Sequence, residues 1–383
     1  MSDGLVLVTG GAGFIGSHLA PQLVALGRQV RVLDTLSPQV HGQVPGDNVA
    51  WLTTTPGVEF RRGSAGTPAD LRSALEGVSA VVHLAAETGT GQSMYEIARY
   101  CRQNVQATAL LMDLIANDRS LNVERVVLAS SRSVYGEGAY VRCDTSDGAR
   151  LTPPTRSAEA LRAGQWEPVC PDTGAPLQAV PTREDDRTAP ASIYAATKLM
   201  QEDLVRIGCA AAGVGYAILR LQNVYGEGQS LANPYTGILS IFSTRIRRGL
   251  ELPVFEDGLE SRDFVHVSDV SAAFVAAVQA QQVLDTVVNV GSGVATPVIE
   301  VARSLCRAFS APEKVHVTGQ YRVGDIRHNM ADVSVLRRVL KVDPQVQLDD
   351  GLKRFSRWVT DQPLHADRLD EANAELVKRG MMG

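Results

Sequence analysis

The stretch "LVLVTGGAGFIGSHLA", residues 5–20, decides the fold. An apolar run opens it and a helical pattern closes it, so Gly10, Gly13 and Gly16 stand between a strand and the mouth of a helix. The first glycine permits a tight turn, the second lets backbone approach a pyrophosphate, and the third allows helix to pack closely on strand. Free N–H groups at the helix start attract phosphate charge. The next apolar run, "QVRVLD" at 29–34, ends in Asp34, eighteen residues past Gly16. A carboxylate there accepts hydrogen bonds from an adenosine ribose and repels a 2′-phosphate, which favours NAD over NADP.

Outward from this turn the same rhythm continues. Short apolar runs at 80–86 ("AVVHLAA"), 125–130 ("RVVLAS"), 216–221 ("YAILRL") and 286–291 ("TVVNVG") alternate with amphipathic stretches such as "NVQATALLMDLIAND" at 104–118. Buried strands alternating with helices imply an α/β fold, a Rossmann-type doubly wound parallel sheet. Residues 1–226 read as the NAD-binding domain, to which 263–293 return. Residues 227–262 and 294–360 lack the rhythm and are assigned to a smaller, discontinuous substrate lobe, and 361–383 to an appended helical segment. From Tyr135 to Tyr194 no strand or long helix is expected, and residues 151–190 hold seven of the eighteen prolines. An insertion of this length, about 137–190, is a lid, a subdomain or disorder.

Composition narrows the class. With 383 residues, 44% hydrophobic content and a net charge of -5, the chain can bury a substantial core in one large or two moderate domains. Mild acidity without a basic stripe speaks against a nucleic-acid surface. Five scattered cysteines suit free thiols in a reducing compartment. The opening residues lack a basic leader and no 18-residue apolar run occurs, so a cytoplasmic protein without a membrane span is expected.

The stretch "SIYAATKLMQE" at 192–202 places Tyr194 and Lys198 on one helix face. Free tyrosine has a pKa of about 10, too high for a base at neutral pH, and a neighbouring cation favours phenolate. Lys198 is the only lysine before Lys314 in a chain that otherwise uses arginine. Ser131 in "VVLASSRSVYG" ends a strand on the carboxyl edge, where parallel sheets bind ligands. Together the three make a proton-transfer device beside a dinucleotide.

The glycine turn, "HLAA" at 83–86, Ser131, Tyr194-x-x-x-Lys198, "LRLQNVYG" at 219–226 and "RDFVHVSDV" at 262–270 occur in the order of the extended short-chain dehydrogenase/reductases. Over residues 4–355 the chain resembles their nucleotide-sugar epimerase and dehydratase branch. The resemblance implies that Tyr194 is the acid/base on a sugar hydroxyl, that Ser131 hydrogen-bonds with it, and that Lys198 binds the nicotinamide ribose and depresses the tyrosine pKa. It also implies a cofactor pocket formed by Gly10, Gly13, Phe14, Ile15, Gly16, Asp34, Leu84, Ala85, Ala86, Asn104 and Val224. Asn223, Asn233, Arg262 and Arg322 would hold a nucleotide-diphosphate sugar, and Arg suits phosphate because its fork donates two parallel hydrogen bonds. The adenine side departs from the usual pattern, with Ser64 and Ala65 after "EFRRG".

Dehydratases of the branch carry an acidic pair after the catalytic Ser or Thr. Arg132 and Ser133 stand there, so elimination is disfavoured and a 4-epimerase cycle is implied. Arg132 facing the sugar would also favour a substrate carboxylate. The stretches "TGTGQSMYEIARYCRQN", "GQWEPVCPDTGAPL" and "FEDGLESRDFVHV" are similar to dTDP-L-rhamnose 4-epimerases, which interconvert that sugar with dTDP-6-deoxy-L-talose. In that subgroup the long insertion resembles a zinc knuckle. Here only Cys143 and Cys170 remain, Ser146 and Thr173 standing at the partner positions, and two thiolates cannot close a four-ligand site, so no metal is expected. A homodimer is implied. A ketoreductase or dehydrogenase with net cofactor turnover and a non-catalytic NAD sensor stay as alternatives.

Overall fold

The computed structural model describes residues 4–42, 49–145, 148–231, 237–367 and 369–383. In chain order its strands are β1 Leu5–Thr9, β2 Val30–Asp34, β3 Val58–Arg62, β4 Val78–His83, β5 Arg125–Ser131, β6 Tyr140–Arg142, β7 Arg150–Leu151 and β8 Leu177–Ala179. There follow β9 Gly215–Leu221, β10 Asn223–Tyr225, β11 Leu252–Val254, β12 Ser261–His266, β13 Thr286–Val290, β14 Ala295–Pro297 and β15 Val315–Val317.

Seven strands form one sheet in the order β13-β9-β5-β4-β1-β2-β3, and every neighbouring pair is parallel. Side chains alternate across it, as the pleat requires. Val6 and Val8 join Leu19 and Leu23 of the first helix and Phe274 and Ala277 of the helix Val267–Gln279. Leu7, between them, joins Leu75, Leu111 and Val205 in the opposite layer. Burial on both faces explains why the strands read as unbroken apolar runs. Strand order reverses between β1 and β4, and the crevice this opens at their carboxyl ends is where such sheets bind ligands.

A smaller sheet, β10-β12-β14, and the pair β11-β15 share a second core. The helix Leu348–Thr360 turns Leu352, Phe355 and Val359 into it, spaced on one helical face. The insertion expected to lack strands contains a three-stranded antiparallel sheet, β7-β6-β8, and a short helix, Ala158–Arg162. Strands of two or three residues are too short for alternation to register in sequence, and among the described residues their core is Tyr140, Cys170 and Leu177 with a few partly buried neighbours. Ion pairs fasten the insertion to the second lobe: Arg156 with Glu256 at 2.9 Å and Glu167 with Arg327 at 2.6 Å. Cys170 is buried and Cys143 exposed, while Ser146 lies outside the described residues. Among the described residues no helix is long and apolar enough to cross a membrane.

Candidate active site

A cleft of about 540 Å³ opens at the strand ends, lined by Gly10, Gly13, Phe14, Ile15, Gly16, Asp34, Leu84, Ala85, Ala86 and Val224. Gly10 has φ +66°, and a Cβ there would stand 2.7 Å from the Ala85 Cα. A Cβ on Gly16 would lie 2.2 Å from the Gly11 carbonyl oxygen, which is the close packing read from the sequence. A Cβ on Gly13 would come no nearer than 3.3 Å to its surroundings, the Gly10 carbonyl oxygen, and would instead fill the approach to the turn. The Asp34 carboxylate is fixed against the glycine turn, accepting from the amides of Ala12 at 3.1 Å and Leu36 at 2.8 Å. A turn free of side chains and an immobilised acceptor at the end of β2 fit a dinucleotide.

Asn104 is not among the cleft-lining residues. It is fully buried, with Oδ1 accepting from the Glu87 amide at 2.7 Å. Its Nδ2 donates to the Glu87 carbonyl at 3.1 Å and to Thr197 Oγ1 at 3.0 Å. It therefore splints the loop after β4 to the helix Ile193–Ala212.

That helix starts where Ser192 Oγ caps it by accepting from the Ala195 amide at 3.2 Å. The Tyr194 amide donates to Ser93 Oγ at 3.0 Å, and the Tyr194 ring meets Tyr100 edge to face at 6.5 Å. Ser131, at the end of β5, stands beside the Tyr194 phenol and acts to lower its pKa. Ser131 Oγ accepts from the Ser133 amide at 3.2 Å and from Ser133 Oγ at 3.0 Å. Burial raises the Tyr194 pKa, opposed by the neighbouring Ser131 hydroxyl and by the charge of Arg132. Lys198 Nζ donates to the Ala129 carbonyl at 2.8 Å, and the charge of Arg132 acts on the phenol. Burial pushes Lys198 down to about 8, with Glu202 partly opposing. Glu202 is itself held by Arg220 at 2.7 Å and by Ser130.

Beside the phenol, Arg132 Nε donates to Asn223 Oδ1 at 2.9 Å, and both residues line the cleft with Ser133. Burial and repulsion from Arg262 push Arg132 down to about 10. Arg262 and Arg322 are not in the cleft wall. Arg262 donates to Asp325 Oδ1 at 3.0 Å and to the Ser261 and Arg327 carbonyls. Arg322 lies 4.6 Å above the Phe255 ring and donates to Asn373 Oδ1 at 3.0 Å. Asp325 collects this group. Burial would raise its carboxyl, but Arg262, Arg322 and Arg132 outweigh it and hold the pKa low. Sequence reasoning missed Asp325, whose only signal was an acid three residues after Arg322. Asn233 lies outside the described residues.

With this geometry, comparison with known proteins is informative. Residues 6–160 and 171–291 match the NAD dependent epimerase/dehydratase family, and the chain belongs to it. It is 38% identical over 369 residues to the dTDP-L-rhamnose 4-epimerase of Burkholderia thailandensis, covering 96% of each chain. Among solved structures it is similar to MoeE5 in complex with UDP-glucuronic acid and NAD, with TM-score 0.73 and 30% identity over 93% of this chain and 99% of that one. It also superposes on a UDP-N-acetylglucosamine 4-epimerase from Methanobrevibacter ruminantium M1, with TM-score 0.75 and 25% identity over 95% of this chain and 100% of that one.

Proposed function

We propose that the protein is a nucleotide-sugar 4-epimerase that uses NAD without consuming it, with dTDP-L-rhamnose and dTDP-6-deoxy-L-talose as the exchanging pair. The observation that carries the reading is the Ser131–Tyr194 hydroxyl pair beside Arg132 and Ser133. A guanidinium and a hydroxyl stand where elimination would need carboxyl acid and base, so oxidation and re-reduction at one carbon is the chemistry left. The name of the Burkholderia relative supports the choice of sugar.

NAD bound in the cleft would supply a hydride acceptor, and then donor, for C4 of the sugar. The glycine turn and Asp34 would hold its pyrophosphate and ribose, and Lys198 its other ribose. Tyr194 takes the C4 hydroxyl proton while Ser131 fixes the direction of the phenol, and Arg132 stabilises the phenolate form. The 4-ketosugar turns over, and Tyr194 returns the proton to the oxygen as the carbon regains hydrogen on its other face. Arg132, Ser133 and Asn223, together with Arg262, Arg322 and Asn233, serve the sugar nucleotide.

Residues 1–226 and 263–293 on this reading bind the dinucleotide, and 227–262 and 294–360 the sugar nucleotide. A cytoplasmic homodimer paired through the Tyr194 helix goes with it. Met200 and Ile207, seven apart on that helix and 50% and 58% exposed, support the pairing. The test is NMR of dTDP-, UDP- and GDP-sugars incubated with enzyme and no added cofactor. C4 inversion without change in NADH absorbance supports epimerisation. Stoichiometric NADH change makes the protein a dehydrogenase, and inertness with retained NAD makes it a sensor.

A further inference from the structure

Residues 369–383 play no part in the readings above, yet they contact both the 321–323 segment and the turn that follows Thr90 of the cleft wall. On the second lobe, residues 381–383 add an antiparallel strand-like pairing to 321–323. The Tyr321 amide donates to the Gly383 carbonyl at 2.8 Å, the Gly383 amide to the Tyr321 carbonyl at 3.1 Å, and the Val323 amide to the Met381 carbonyl at 3.0 Å. From the helix Leu369–Lys378, Asn373 Oδ1 accepts from Arg322 Nη2 at 3.0 Å. Opposite, the Arg379 guanidinium sits 4.2 Å over the Tyr95 ring, and Leu376 lies beside Gly91. Gly91 belongs to the turn Thr90–Ser93, whose Ser93 Oγ receives the Tyr194 amide.

Arg322 is therefore held by two direct side-chain contacts among the described residues, with the Asp325 charge nearby. Phe255 stacks on its face and Asn373 takes one Nη, while Nε is buried and has no hydrogen-bond partner among the described residues. A guanidinium fixed in this way keeps donors free for a bidentate acceptor such as a phosphate. Asn373 is a neutral acceptor, so it orients the fork without adding a second negative charge to that of Asp325.

We propose that residues 369–383 form a strap that completes the sugar-nucleotide end of the site, with Asn373 the positioning residue that aims Arg322 at a phosphate of the nucleoside diphosphate. This rests on the reading of Arg322 as a phosphate group's partner. The test uses the full chain and dTDP and UDP as probes, with calorimetric Kd, KM, kcat and bound NAD measured for Asn373→Ala, Asn373→Asp, Arg322→Ala and the Arg322→Ala/Asn373→Ala pair. Losing a hydrogen bond to a charged group predicts about tenfold weaker dTDP binding and higher KM in Asn373→Ala. The expected kcat lies within about threefold of wild type, bound NAD is unchanged, and the double variant is no weaker than Arg322→Ala. Asn373→Asp, which keeps the shape, weakens dTDP by supplying a competing charge. If Arg322→Ala weakens dTDP and Asn373→Ala does not, the strap's role is refuted and the reading of Arg322 stands. If Arg322→Ala binds dTDP normally, that reading fails and the proposal with it. Should Asn373→Ala not fold, hydrogen exchange of 369–383 in wild type decides: added protection with dTDP supports the strap, and unchanged exchange overturns it.

Discussion

Replacing Lys198 by methionine separates stability from catalysis. The ammonium is 3% exposed, donates to the Ala129 carbonyl at 2.8 Å, and has its pKa pushed from 10.5 to about 8 by burial, with Glu202 partly opposing. At about 1.4 kcal/mol per pH unit, burial disfavours the charged form by roughly 3 kcal/mol. Methionine matches the length of the stem and removes that charge, but deprives the Ala129 carbonyl of a donor, a loss of about 1–2 kcal/mol. The net expectation is a variant more stable by roughly 1–2 kcal/mol at pH 7. Because the lysine pKa is lowered on folding, the folded protein binds fewer protons than the unfolded chain between about pH 8 and 10.5. Wild-type stability therefore gains relative to the variant as pH rises through that window, and the order of the two reverses by its upper end, where only the lost hydrogen bond counts. Thermal unfolding of dinucleotide-free protein in steps from pH 7 to 10.5 reads this directly, and turnover and NAD affinity at pH 7 should both fall. A stability difference that stays constant with pH, or a variant less stable at pH 7, refutes the reasoning.

Tyr194→Phe removes the proton acceptor while leaving its packing against Tyr100, so kcat should fall about 10²–10⁴-fold with NAD content unchanged; a turnover assay with NAD quantified after denaturation checks both. Gly16→Ala drives a methyl group to 2.2 Å from the Gly11 oxygen, so the turn must deform, and NAD titration followed by fluorescence should show affinity lost. Glu202→Ala leaves the Arg220 guanidinium buried without its partner and should cost about 3–5 kcal/mol, read as a lower urea midpoint.

Much of this was legible because it depends on local pattern. The glycine spacing and Asp34 fixed β1, the first helix and β2, and the apolar runs gave β4, β5, β9 and β13, since burial on both faces leaves continuous apolar strings; the edge strand β3, only partly buried and ending in two arginines, was not expected. Ser131 and Tyr194 were placed together for the same reason, one at a strand end and one at a helix start. The strands of the insertion were not legible because two or three residues are too few for alternation to show, and the ion pairs that fasten the insertion join Arg156 and Glu167 to residues about 100 to 160 positions away. Asn104 looked like a pocket residue and serves as a splint, a distinction set by which donors its amide finds in three dimensions. Arg322 was visible as a residue, but its partner Asn373 lies 51 residues on and carries no motif.

The proton chemistry shows the same division. Spacing on a helix can say that Lys198 shares a face with Tyr194, and it cannot say which way the ammonium turns. At the strand end the Ala129 carbonyl and the Glu202 charge draw it inward, while the charge of Arg132 acts on the phenol. A guanidinium is the better charge for that place, because even pushed down to about 10 it stays protonated at neutral pH, whereas Lys198 at about 8 is close to titrating. On the function proposed above, the residue whose identity speaks against elimination is also one whose charge favours phenolate, so the side chain at position 132 would bias the site toward removing and restoring a single hydrogen.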